Sequence, residues 1–100
     1  MTDRTGESVS AAGGVTVHYW AAARAAAGVE SDVVPVAEGT SLADVLAAVR
    51  ALHADRPRLS DVVAVCSVLV GDRPVGSRAP EDVSLAPGDT VELLPPFAGG

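Results

Sequence analysis

One hundred residues, with 7 arginines against 13 acidic side chains, give a net charge of −6, and this length supports one small core and no second. An acidic chain lacks the basic face that nucleic acid phosphates or anionic bilayers require, so neither partner is expected. The single cysteine, Cys66, cannot form an internal disulfide or hold an iron–sulfur cluster or cysteine-based zinc site alone, and a reducing, cytoplasmic setting is the natural reading.

Residues 1–14 (MTDRTGESVSAAGG) are small, polar and glycine-rich. They bury too little apolar surface to offset ordering, so a disordered leader is expected there, without a signal-peptide-like apolar run. Residues 15–20 (VTVHYW) alternate, with Val15, Val17 and Tyr19 on one parity and Thr16, His18 and Trp20 on the other, the pattern of a half-buried strand. The run AAARAAAG predicts a short helix closed by Gly28, which must dock on the sheet because it cannot stand alone. Residues 29–37 read as a strand, placed at an edge or bulge by Pro35, which has no amide donor. Ser41 and Asp44 have the spacing of a capping box. Leu42, Val45, Leu46, Val49 and Leu52 follow at helical intervals. They predict the principal amphipathic helix over 41–54, apolar face to the sheet, ended by Arg56-Pro57.

Residues 59–63 read as irregular or 3₁₀, and 64–70 (AVCSVLV), apolar on both parities, as a central strand. A turn at Gly71-Asp72 leads to a short strand near 74–75, a loop over 76–88 and a last strand over 90–94. The order β-α-β-α-β-β-β predicts an α+β domain over 15–94. Its mixed sheet carries the main helix on one face, with strands 15–20 and 89–94 adjacent at the centre. Val15, Val17, Tyr19, Val68, Val91 and Leu93 are the expected sheet side of the core.

Most conventional chemistry finds no support. Gly71, Gly76 and Gly88 are isolated turn glycines rather than a phosphate loop. His18 and His53 lie on different elements without companion ligands and read as surface residues, so no metal site is expected. No serine sits in a nucleophile-elbow context. Cys66 reads as a small core hydrophobe in mid-strand. No active site of the chain's own and no bound cofactor are expected.

The informative segment is the ending, Pro95-Pro96-Phe97-Ala98-Gly99-Gly100. Two prolines, with fixed φ and no amide donors, stop the last strand and project an extended tail over 95–100. Phe97 supplies an apolar anchor, and Ala98, Gly99 and Gly100 are nearly free of side chains. Such a tail threads a narrow tunnel and delivers its ionised terminal carboxylate into another protein's active site. That carboxylate can attack the α-phosphate of ATP to give an acyl-adenylate, which sulfur or an amine then displaces. Trp20 shares parity with Thr16 and His18, and Leu94 with Thr90 and Glu92. Together they are expected to form an outward apolar patch beside the tail for a partner.

Four segments, within residues 15–100, resemble the sulfur-carrier branch of the ubiquitin-like β-grasp proteins, and most closely the small subunits of molybdopterin synthase. Val17-His18-Tyr19-Trp20-Ala21 followed by Arg24 and Gly28 is similar to that family's first strand and short helix. Thr40-Ser41-Leu42 is similar to the opening of its central helix, Leu85-Ala86-Pro87-Gly88-Asp89-Thr90-Val91 to the turn before its last strand, and Pro95-Pro96-Phe97-Ala98-Gly99-Gly100 to its Pro-Pro-x-x-Gly-Gly ending. The resemblance implies a β-grasp fold and a mechanism. A ubiquitin-activator-like adenylating enzyme would charge Gly100 using ATP, sulfur transfer would convert it to a thiocarboxylate, and the large subunit of molybdopterin synthase would receive the tail, where sulfur passes to a pterin precursor. A carrier for another pathway (thiazole, cysteine or a specialised metabolite) would share the tail and differ in partner. A protein modifier would also share it, although a chain without lysine could not build polymers through itself. A plain binding module would not depend on Gly100.

Overall fold

A computed structural model describes residues 13–96. In chain order these form β1 (Gly14–Tyr19), α1 (Ala21–Ala27), β2 (Ser31–Pro35), α2 (Leu42–Leu52), α3 (Pro57–Val65), β3 (Ser67–Val70), β4 (Arg73–Pro74), a 3₁₀ turn at Pro80–Asp82 and β5 (Thr90–Leu94). The five strands make one mixed sheet in the order β2-β1-β5-β3-β4. β1 and β5 run parallel in the middle, with Val17 opposite Val91 and Tyr19 opposite Leu93. The other pairs are antiparallel. The adjacency of the two sequence-distant strands and the helix-covered face are therefore as the periodicity predicts.

Local chemistry sets the elements. At the start of α2, the Asp44 amide donates to Ser41 Oγ at 3.2 Å while the Ser41 amide donates to Asp44 Oδ2 at 3.0 Å, closing the capping box. α1 ends at Gly28, whose φ of 81° lets its amide donate to the Arg24 carbonyl at 2.9 Å. β2 lies at the sheet edge, where Pro35 removes no ladder bond.

The core forms where α2 meets the sheet. Leu42, Val45, Leu46 and Val49 bury against Val15, Val17, Tyr19, Val91 and Leu93. α3 adds Leu59 and Val63, and the loops add Val75, Val83 and Leu85. Val68 and Val70 of β3 pack against this cluster, partly buried.

Several expectations need correction. Residues 57–65 are a helix, not an irregular stretch running into a strand. Pro57 stands in its first turn, and Leu59 and Val63, four apart, are both buried. Burying that stripe outweighs the strand preference of Val62, Val63 and Val65. Cys66 consequently caps this helix and precedes β3 rather than lying in mid-strand. The principal helix stops at Leu52, with His53 at its C-cap, so Arg56-Pro57 opens the next helix instead of ending this one. Leu52 is 56 % exposed and does not face the sheet: it stands on the last turn of α2 in the groove beside the edge strand β2, where no further strand of the described residues covers it. The first strand begins at Gly14, one residue earlier than expected, with Gly14 opposite Pro35.

Candidate functional site

β5 is the element that delivers the chain's ending, and the sheet fixes it from both sides. On one side the Trp20 amide donates to the Leu93 carbonyl at 3.2 Å. On the other, Leu94 stands opposite Ser67 of β3. β5 thus emerges from the centre of the sheet at the Trp20 end of β1. Pro95, half-buried, and Pro96, exposed, follow it. Neither proline can donate to a ladder, so regular pairing ends here. Phe97, Ala98, Gly99 and Gly100 lie outside the described residues.

The helix-free face of the sheet surrounds this exit. Strand register puts Thr16, His18, Thr90, Glu92, Ser67 and Leu69 on it. Trp20 adjoins them, 51 % exposed, with Leu94 half-buried. The outward placement read from parity is correct for both. The indole is held rather than loose: Trp20 Nε1 donates to Glu92 Oε1 at 2.7 Å. One polar bond orients the ring and leaves much of its apolar surface in water.

A polar cluster lies on the opposite, helix-covered face. Tyr19 Oη donates to Asp32 Oδ2 at 2.8 Å, and His53 Nε2 lies 2.6 Å from the same oxygen. The His53 and Tyr19 rings meet edge to face, with centroids 6.0 Å apart. Burial first, then the hydrogen bond and charge of Asp32, push the Tyr19 phenol far above its usual range. His53 is therefore not the surface residue expected from sequence, since its side chain is only 13 % exposed. The signal was present in the spacing: His53 follows Val49 by four and Leu46 by seven, continuing the buried stripe of α2. The cluster ties β1, β2 and the end of α2 together, which holds the sheet against the helix.

Cys66 is partly buried against the core, and that burial pushes its thiol up, away from thiolate character. Among the described residues no group of three or more His, Cys, Asp or Glu side chains could hold a metal ion, and no helix is long and apolar enough to cross a membrane.

A model of the ThiS family matches residues 17–100, through the final glycine. Among solved structures, the small archaeal modifier protein SAMP1 of Haloferax volcanii is 26 % identical, with 88 % of this chain and 100 % of that chain covered and a TM-score of 0.69. A Pyrococcus furiosus structure named for molybdopterin converting factor subunit 1 is 24 % identical over 84 % of this chain and 98 % of that one, with a TM-score of 0.66. A complex of subunits 1 and 2 of molybdopterin-converting factor from Helicobacter pylori matches at 23 % identity, 87 % and 99 % coverage and a TM-score of 0.55. No curated protein matches the sequence. The fold is thus the ubiquitin-like β-grasp.

Proposed function

This chain belongs to the ThiS family, with the ubiquitin-like sulfur-carrier fold, and on that premise we propose that it is the small subunit of a molybdopterin synthase, carrying sulfur on Gly100. The observation that supports this reading most is the ending Pro95-Pro96-Phe97-Ala98-Gly99-Gly100, set directly after the central strand β5. A rigid sheet aims the tail, and two side-chain-free residues let its carboxylate enter a closed site.

In this scheme the Gly100 carboxylate oxygen attacks the α-phosphorus of ATP, bound by an adenylating enzyme, and pyrophosphate leaves. Sulfur supplied at the sulfide level then attacks the acyl carbon as HS⁻ and AMP leaves, giving a thiocarboxylate. The chain's own part is to present the carboxylate and dock. Trp20 and Leu94 form the docking patch beside the tail, for the large subunit and the activating enzyme in turn. The Helicobacter pylori structure, in which subunit 1 of the converting factor is complexed with subunit 2, supports a partnership of that kind.

The test is reconstitution. Thiocarboxylated protein, the large subunit and the cyclic pterin precursor together should yield molybdopterin, and protein lacking Gly100 should yield none. Sulfur transfer to a thiazole or cysteine precursor instead would keep the carrier and move it to another pathway. The SAMP1 likeness favours a second reading as a protein modifier. That reading requires isopeptide conjugates of Gly100 with lysines of other proteins.

A further inference from the structure

The edge strand β2 has a hydrogen-bonding inventory that nothing in the tail mechanism uses. Two bonds fix its phase. The Tyr19 amide donates to the Glu30 carbonyl at 2.9 Å, and the Val36 amide donates to the Gly13 carbonyl at 2.8 Å. In an antiparallel ladder bonded residues alternate, so Glu30, Asp32, Val34 and Val36 turn their backbone groups toward β1. Ser31, Val33 and Pro35 turn theirs away, where the sheet has no further strand among the described residues. The free edge therefore offers two donors, on Ser31 and Val33, and three carbonyl acceptors.

Beside this edge runs an apolar groove of about 320 Å³, lined by Val33, Val34, Pro35, Ala48, Ala51 and Leu52. Val33 is 50 % and Leu52 56 % exposed. Small Ala48 and Ala51 leave room for side chains to enter between strand and helix. Asp44 lies four residues before Ala48 on the same stripe of α2, and Asp55 follows the helix end, both exposed. Asp44 and Asp55 thus flank the apolar stretch of α2 along the chain.

We propose that β2 and α2 form a docking site for an extended segment of a partner protein, apolar at its centre and basic at its flanks, which adds to the sheet as a sixth strand. Main-chain bonds to Ser31 and Val33 would fix its register, and alternate side chains would fill the groove. Charge decides the occupant. In a symmetric antiparallel pairing of two β2 strands the Asp44 end of one α2 would approach the Asp55 end of the other, joining like charges on chains that each carry −6. A basic segment gains where a second copy loses. The site lies two strands from β5, roughly 10 Å by strand spacing, so occupancy leaves the tail exit free.

The test uses the full chain and a fluorescein-labelled peptide of alternating valine and threonine with lysine at both ends. Amide NMR should place the largest shifts at Ser31, Val33 and residues 48–52. Val33→Pro removes one outward donor in the phase Pro35 already occupies, so the ladder to β1 survives while affinity falls about tenfold or more. Leu52→Ser should weaken the same peptide without involving the backbone, and exchanging the peptide lysines for glutamates should weaken it about as much. The proposal is overturned if no saturable binding occurs, if Val33→Pro and Leu52→Ser bind like the parent chain, or if the shifts map to the Trp20 face. It is also overturned if the chain alone self-associates and Val33→Pro abolishes that association, since a second copy would then be the occupant.

Discussion

Replacing Leu46 by alanine tests how α2 is held to the sheet. Leu42 and Leu46 both belong to the core cluster, but they differ in exposure. Leu42 has 0 % exposure, whereas Leu46 is 8 % exposed; both border an open groove of about 550 Å³ with Arg50, Val63, Val68 and Val75. Truncating a buried leucine costs about 2–5 kcal/mol, and the spread tracks the cavity that remains. Leu42 gives up a side chain with no surface left in water, which places Leu42→Ala in the upper half of that range. At Leu46 water from the groove and the aliphatic stem of Arg50 can refill the space, which places Leu46→Ala at about 2–3 kcal/mol. In a domain of this size each kcal/mol lowers the melting temperature by about 4–8 °C, so the two variants should separate clearly. Urea denaturation followed by circular dichroism reads both, with equal slopes expected because the same surface is exposed on unfolding. A loss below about 1 kcal/mol at Leu46, or a larger loss at Leu46 than at Leu42, would show that α2 is not seated as described.

Tyr19 is the only tyrosine, so absorbance near 295 nm reports on it alone. Its folded-state pKa is raised, so the stabilisation is complete below the unfolded value near pH 10 and is lost as pH rises above it. Tyrosinate should therefore appear together with unfolding, and Tyr19→Phe should flatten the alkaline loss of stability; ionisation of the native protein with a midpoint near 10 would contradict the buried Asp32 bond. Trp20, the only tryptophan, should emit as an exposed indole and shift to the blue when the large subunit binds, and Trp20→Ala should weaken docking by about tenfold or more at unchanged melting temperature; unchanged affinity would remove it from the docking patch.

Much of this fold was readable because one residue class answers one question at a time. Val15, Val17 and Tyr19 alternate cleanly, so their strand and its buried face follow from parity alone. Ser41 and Asp44 mark a helix start by chemistry that has few competitors. The failures share a cause. Residues 57–70 hold seven valines and leucines in close succession, dense enough to satisfy a helix or a strand, and only burial of Leu59 and Val63 against the finished core decides between them. His53 was misplaced because a polar residue on an apolar stripe is sheltered only if a partner meets it. That partner, Asp32, comes from a strand twenty-one residues earlier in the chain. For the candidate site the balance differs. The proposed tail chemistry rests on the residue types of 95–100 alone, of which 97–100 lie outside the described residues, while the exposure of Trp20 follows from parity. The Glu92 bond that orients the indole depends on β1 and β5 being neighbours, which pairs residues 72 apart.

The central claim is that sulfur travels on the last residue. Intact-mass and C-terminal peptide mass spectrometry of the protein purified from its native source tests it most directly. The account predicts a population in which one oxygen of the Gly100 carboxylate is exchanged for sulfur, which an alkyl halide traps as a thioester, and which is absent from protein ending at Gly99. A terminal glycine that stays a plain carboxylate while a Gly99-terminated chain still supports full sulfur transfer would contradict it.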